Sequence, residues 1–110
     1  MSAQPDGTPV LDLITSINAS SIDASSLDLD QQMLARIAAL VAVDAPPASY
    51  MMNLGAAGAT GVTQEQVQGV MAAITPIVGT ARVVSAAGKM MRALGLALDL
   101  AELEAEAEEE

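Results

Sequence analysis

The 110-residue chain has no cysteine, no histidine, no phenylalanine and no tryptophan, and a single tyrosine. The missing cysteine excludes disulfides, thiol chemistry and cysteinyl metal ligands within it. The missing histidine removes the usual proton carrier at neutral pH and the commonest transition-metal ligand. Basic residues are also scarce: Arg36, Arg82, Lys89 and Arg92 face 14 acids, for a net charge of −10. Four scattered cations make no phosphate-binding face, so nucleic acid is not an expected partner.

What remains is aliphatic. Hydrophobic residues make up 52% of the chain, more than a disordered segment carries, so a packed core is expected. With seven methionines and abundant alanine but almost no aromatics, that core suits helices better than sheets. The length fits one domain. Six of the acids lie in AELEAEAEEE, residues 101–110; outside it eight acids face four bases, leaving about −4.

The N-terminal MSAQPDGTP has neither a basic start nor an apolar run, so no signal peptide is expected and a cytoplasmic location follows. Mean hydropathy is +0.42. The longest uncharged run, Ala45 to Gln64, is nevertheless interrupted by two prolines, Asn53 and three glycines, so no membrane span is expected.

Along the chain, residues 1–7 read as a flexible N-terminus, 8–100 as one helical domain and 101–110 as an acidic tail that frays. Acids at a helix C-terminus oppose the macrodipole. Thr8-Pro9 predicts a helix start, and Val10, Leu11, Leu13, Ile14 and Ile17 a short amphipathic helix. Asn18 to Ser26 reads as a polar connection anchored by Ile22. Asp28 with Gln31 predicts a capping box for a helix whose stripe is Leu29, Met33, Leu34, Ile37, Leu40 and Val41. Pro46-Pro47 opens a small-residue helix closed by Gly58 to Gly61, and Thr63 with Gln66 caps the next. Pro76 predicts a kink or break, with a restart at Gly79-Thr80 into a long final helix. The expected architecture is a compact all-α bundle of five to six helices.

The stretch DAPPASYMMNLGAAGATGVTQEQ, Asp44 to Gln66, concentrates the turn prolines, Tyr50 and three glycines. Tyr50 and Asn53 stand three residues apart and share one side of a helix. With Ser49 they form the candidate pocket, a phenol and an amide orienting a ligand. The plainer alternative puts Tyr50 in the core and Asn53 on a backbone carbonyl. Ser49 has no histidine to take its proton, so it reads as a turn residue rather than a nucleophile. Gly55, Gly58 and Gly61 lack the strand and lysine of a phosphate loop and read as a ridge for close helix approach. No catalytic residue, cofactor or metal ligand is assigned.

From Leu27 to Met90 the sequence resembles the carboxymuconolactone decarboxylase / alkyl hydroperoxidase D-like superfamily. The resemblance rests on the apolar helix, the proline turn, the small-residue helix ending at Gly61, then VTQEQVQGVM and PIVGTARVVSA. It implies an alkyl hydroperoxidase D-like bundle assembled as a homo-oligomer, a trimer or hexamer, with sites near subunit interfaces. Redox-active members carry C-x-x-C followed by x-x-x-H. Those positions fall here on Pro46, Ser49 and Asn53, and the proton-relay glutamate falls near Met33 or Leu34. The implied function is therefore a non-redox member with a small apolar pocket for ligand binding or an accessory or structural role. The alternative is a decarboxylase-like lyase acting on a small lactone or keto acid, and thiol peroxidase activity is not expected. A further reading makes the acidic tail an interaction module. Val83, Val84, Met90 and Leu94 are expected to face another subunit, with arginines pairing there to Asp28, Asp30 or Asp44.

Overall fold

A computed structural model describes the backbone of residues 7–109 and the side chains of residues 7–94 and 106. Five helices follow one another: α1 (Pro9–Ala24), α2 (Leu29–Ala42), α3 (Pro47–Ala59), α4 (Gln64–Val78) and α5 (Thr80–Glu109). Among the described residues there is no strand, and no helix is long and apolar enough to cross a membrane. Residues 1–6 of the expected flexible N-terminus lie outside the described residues.

Local chemistry sets the boundaries. At Thr63 the capping box is complete: the Gln66 N–H donates to Thr63 Oγ1 at 3.1 Å and the Thr63 N–H to Gln66 Oε1 at 2.9 Å. At Asp28 the box with Gln31 is present as well. The Asp28 N–H donates to Gln31 Oε1 at 3.2 Å, and the Gln31 N–H also donates to the Asp30 carboxylate at 2.9 Å. Pro9 occupies the first turn of α1 as predicted, yet Thr8 makes no side-chain cap and donates to Asp12 instead, at 3.5 Å.

Two helices end in Schellman motifs, in which the chain turns left-handed and satisfies the last carbonyls. At the end of α3, Gly61 (φ 92°) takes the left-handed position, with Gly61 N–H donating to the Gly58 carbonyl and Val62 N–H to that of Ala57. At the end of α2 the same place is filled by Asp44 (φ 57°), with Asp44 N–H on Val41 and Ala45 N–H on Leu40. A non-glycine residue is uncommon there, but aspartate is among the most tolerant.

Helices α2 to α5 pack together, α3 lying against α2 and α5, and α4 against α2 and α5. The core is thin and aliphatic: Met33, Ile37, Val41, Ala45, Tyr50, Ala57, Ala86, Met90 and Ala93. Four of these nine are alanines. The radius of gyration is 16.1 Å, against about 13 Å for a compact domain of this length. Helix α5 has 30 residues and is about 45 Å long, and the longest extent of the chain is 47 Å. It keeps helical backbone through the glutamates to Glu109, past the point where the macrodipole places fraying.

Three expectations are corrected. The presumed connection Asn18 to Ser26 is helical as far as Ala24. Its backbone continues because Arg36 reaches across from α2, donating to Asn18 Oδ1 (3.3 Å), the Asn18 carbonyl (3.5 Å) and Ser21 Oγ (3.2 Å). The glycine ridge is not used within the chain: a Cβ built on Gly55, Gly58 or Gly61 meets nothing within 4 Å. Helix α4 runs through Pro76 without a break there, while the expected restart stands: α4 ends at Val78, Gly79 (φ 100°, ψ 147°) is the joint, and α5 begins at Thr80. A proline so close to the end removes a donor with little of the helix left beyond it.

Candidate functional site

The Asp44 to Gln66 stretch begins as a turn held from α5. The Lys89 ammonium donates to Asp44 Oδ1 at 2.7 Å, and the Arg82 guanidinium to the Ala42 carbonyl at 2.7 Å. A cation on the last carbonyls of α2 suits that helix's dipole. Lys89, by hydrogen bond and charge, holds the Asp44 carboxyl below its usual range. Arg36 and Arg82 are thus engaged within the chain, and Asp44 is taken by Lys89 rather than by an arginine.

The sign of the linkage is definite. A carboxyl with a depressed folded pKa stabilises the fold above its unfolded pKa, near 3.8, and that contribution is lost as pH falls through the folded value. Acid unfolding followed by circular dichroism is therefore expected to begin at higher pH in Lys89→Met than in the parent. Identical acid midpoints would mean that the pair contributes nothing.

Beyond the turn, Pro46 precedes α3, Pro47 begins it, and the Ser49 N–H donates to the Pro46 carbonyl at 3.0 Å. Tyr50, Ser49 and Asn53 then occupy the first two turns. Tyr50 is 0% exposed and packs in the core with Met33, Ile37 and Val41. Its hydroxyl has no hydrogen-bond partner among the described residues. Burial, and after it the charge of Asp44, push the phenol's pKa above 10.0. The Asn53 amide folds back on its own helix, Nδ2 donating to the Ser49 carbonyl at 2.8 Å. Ser49 is half-buried. Met33, near which the resemblance implied a relay glutamate, is buried in the same core cluster as Tyr50. Of these neighbouring positions Tyr50 is core, whereas Ser49 and Asn53 are half-buried and Pro46 is exposed.

Two cavities border this region, and neither is lined by Ser49, Tyr50 or Asn53. The first, about 190 Å³, lies between α3 and α5 and is lined by Met51, Leu54, Gly55, Ala93 and Leu94, all apolar or backbone. The second is a wide, solvent-open hollow of about 520 Å³ at the α4–α5 joint, bordered by Asp44, Gly79, Thr80, Arg82 and Ser85. Among the described residues no three acidic side chains gather into a metal-holding group.

The sequence reading missed the apolar cavity and the Asp44–Lys89 tie. Signals for both exist in retrospect. Leu54 and Gly55 follow Met51 at helical spacing, as Leu94 follows Met90, and Lys89 is the chain's one lysine. Nothing local, however, brings residues 45 positions apart together.

A family model described as "Carboxymuconolactone decarboxylase family" matches residues 9–92, about three-quarters of the chain. The match takes in α1, which the sequence resemblance, running from Leu27 to Met90, leaves out. No curated protein and no solved structure matches.

Proposed function

The chain belongs to the carboxymuconolactone decarboxylase family, and on that premise we propose that it is a non-redox member, a homo-oligomer whose α3–α5 cavity holds a small apolar ligand. The observation that carries this reading is the content of the three family positions. Pro46 is a turn residue, Ser49 offers its backbone groups to α3, and Asn53 is bonded to its own helix. No thiol or imidazole exists anywhere in the 110 residues to replace them. Peroxide reduction by thiols needs a thiolate that is oxidised and recycled. An amide does not act as a general base near neutral pH.

The cavity supports binding rather than bond-making. It is partly open to solvent and its lining is apolar, so a monocyclic hydrocarbon suits it as a probe. Benzene titration is expected to shift the methyl resonances of Met51, Leu54 and Leu94. Gly55→Leu, whose added Cβ meets no neighbour, is expected to fill the space and abolish the shifts without loss of helix. Thiol-dependent hydroperoxide turnover by the purified protein would overturn the non-redox reading. So, for the binding part, would unchanged methyl resonances at saturating benzene.

Family membership also supports an alternative, a decarboxylase-like lyase acting on a small lactone or keto acid. That reading requires turnover that falls in Asn53→Ala. A panel of such substrates left unconverted removes it.

A further inference from the structure

One residue in the wall of the α3–α5 cavity carries a reactive atom. Leu54, Gly55, Ala93 and Leu94 present hydrocarbon and backbone, whereas Met51 presents a thioether. A thioether sulfur accepts an oxygen atom from a peroxide and becomes a polar sulfoxide. Gly55 and Leu94 are exposed and Ala93 is buried, so the cavity opens to solvent on one side and reaches the core on the other. The other methionines set a scale of access. Met33 and Met90 are 3% and 9% exposed, Met51 and Met71 are half-buried, and Met52 and Met91 are 56% and 74% exposed. An oxygen added at Met52 or Met91 stands in water, where it is solvated. Of these six methionines only Met51 lines the cavity.

We infer that Met51 is an oxidation site that switches this cavity: its thioether form admits an apolar ligand, and its sulfoxide form excludes one. With hydrogen peroxide, the sulfur lone pair attacks one peroxide oxygen, and the S–O bond forms as the O–O bond breaks. The proton of the transferred oxygen passes to the departing one, so sulfur is oxidised by two electrons and the peroxide leaves as water. The sulfoxide oxygen is a strong acceptor, and no side chain lining the cavity donates a hydrogen bond. Water must therefore solvate it. An apolar ligand that displaces this water leaves the acceptor unpaired, and the cost appears as lost affinity. The reaction is stoichiometric, because the chain has no thiol to reduce the sulfoxide. Reversal belongs to methionine sulfoxide reductases, which makes the change a switch rather than permanent damage. The inference rests on the apolar-ligand reading of the same cavity and adds its regulation.

The absence of cysteine leaves methionine as the residue that peroxide attacks, which makes the test clean. The protein is treated with hydrogen peroxide and its sulfoxides are assigned by peptide mass spectrometry. Benzene is titrated before and after treatment, with the methyl resonances of Leu54 and Leu94 as the readout. Met52 and Met91 are expected to oxidise first and Met51 next, with Met33 and Met90 at least tenfold slower than Met51. Complete oxidation of Met51 is expected to weaken benzene binding at least tenfold, with helix content by circular dichroism unchanged. Met51→Leu, a volume-conserving change, is expected to keep its benzene binding through the same treatment, although Met52 and Met91 are oxidised in it. Binding that survives complete oxidation of Met51 overturns the inference. So does Met51 oxidising no faster than Met33 and Met90, and so does an equal loss of binding in Met51→Leu; all three leave the ligand reading standing. Unchanged resonances in the untreated protein overturn the ligand reading and this inference with it.

Discussion

Tyr50→Ala is expected to destabilise the fold by about 3–5 kcal/mol, the cost of removing a large buried side chain and leaving its cavity. Among the described residues Tyr50 is the largest fully buried side chain, and it shares its core cluster with Ile37, Val41 and four alanines, which are small fillers for the gap it would leave. Small domains have only about 5–15 kcal/mol of stability in total, so this one change is expected to bring the chain close to unfolding in a urea titration. Tyr50→Phe separates ring from hydroxyl. The hydroxyl is buried without a partner, and removing such a group is expected to stabilise by about 1 kcal/mol. A hydroxyl that serves a ligand predicts the opposite, lost binding with little change in stability. The pH dependence gives a second check. A phenol whose folded pKa is raised contributes stability that is complete below its unfolded pKa, near 10.0, and is lost as pH rises through the folded value. In Tyr50→Phe that alkaline loss is expected to disappear.

The next largest effect is expected at the joint between α4 and α5. Gly79 lies at φ 100° and ψ 147°, a conformation essentially reserved for glycine. A Cβ there meets nothing within 4 Å, so the cost of Gly79→Ala is backbone strain alone. That cost is expected to be about 1–3 kcal/mol. Gly88 is the control, because it sits inside α5 with open space around it. Gly88→Ala is expected to stabilise by about 0.5–1 kcal/mol, through helix propensity. Equal effects at the two glycines in urea titrations would mean that the α4–α5 joint is not held in the left-handed half of backbone space.

Features encoded by a residue and its near neighbours were legible in the sequence. Thr63 with Gln66, Asp28 with Gln31 and the Pro46-Pro47 turn all stand where their chemistry puts them, because a cap and its partner lie within one turn of chain. The helical class followed from the same local signals, and the family from a resemblance over Leu27 to Met90. Features that depend on distant residues were not legible. Asn18 to Ala24 reads as a connection until Arg36, 18 residues beyond Asn18, is seen holding it. In α5, Val83, Val84, Met90 and Leu94 belong to one apolar pattern, and its periodicity leaves open which side turns inward. The fold buries Met90 and half-buries Val83, leaving Val84 and Leu94 exposed. At Tyr50 and Asn53 the sequence allowed either a pocket or core packing. The Tyr50 side chain is core, and the Asn53 amide is bonded to its own helix.

These particulars describe one physical situation. Among the described residues nine side chains, four of them alanine, make the core, while thirteen large apolar ones, from Val10 on α1 to Leu94 on α5, stay exposed. Five of them lie together along α1, and large exposed apolar patches mark interaction surfaces. The bundle is therefore expected to be completed by association, so that its melting temperature rises with protein concentration. The most direct measurement is the molar mass of the untagged protein in solution, by light scattering across the micromolar range. The expected result is a stable multiple of 11.1 kDa. A monodisperse 11.1 kDa species with full helix content and a concentration-independent melting transition would contradict it.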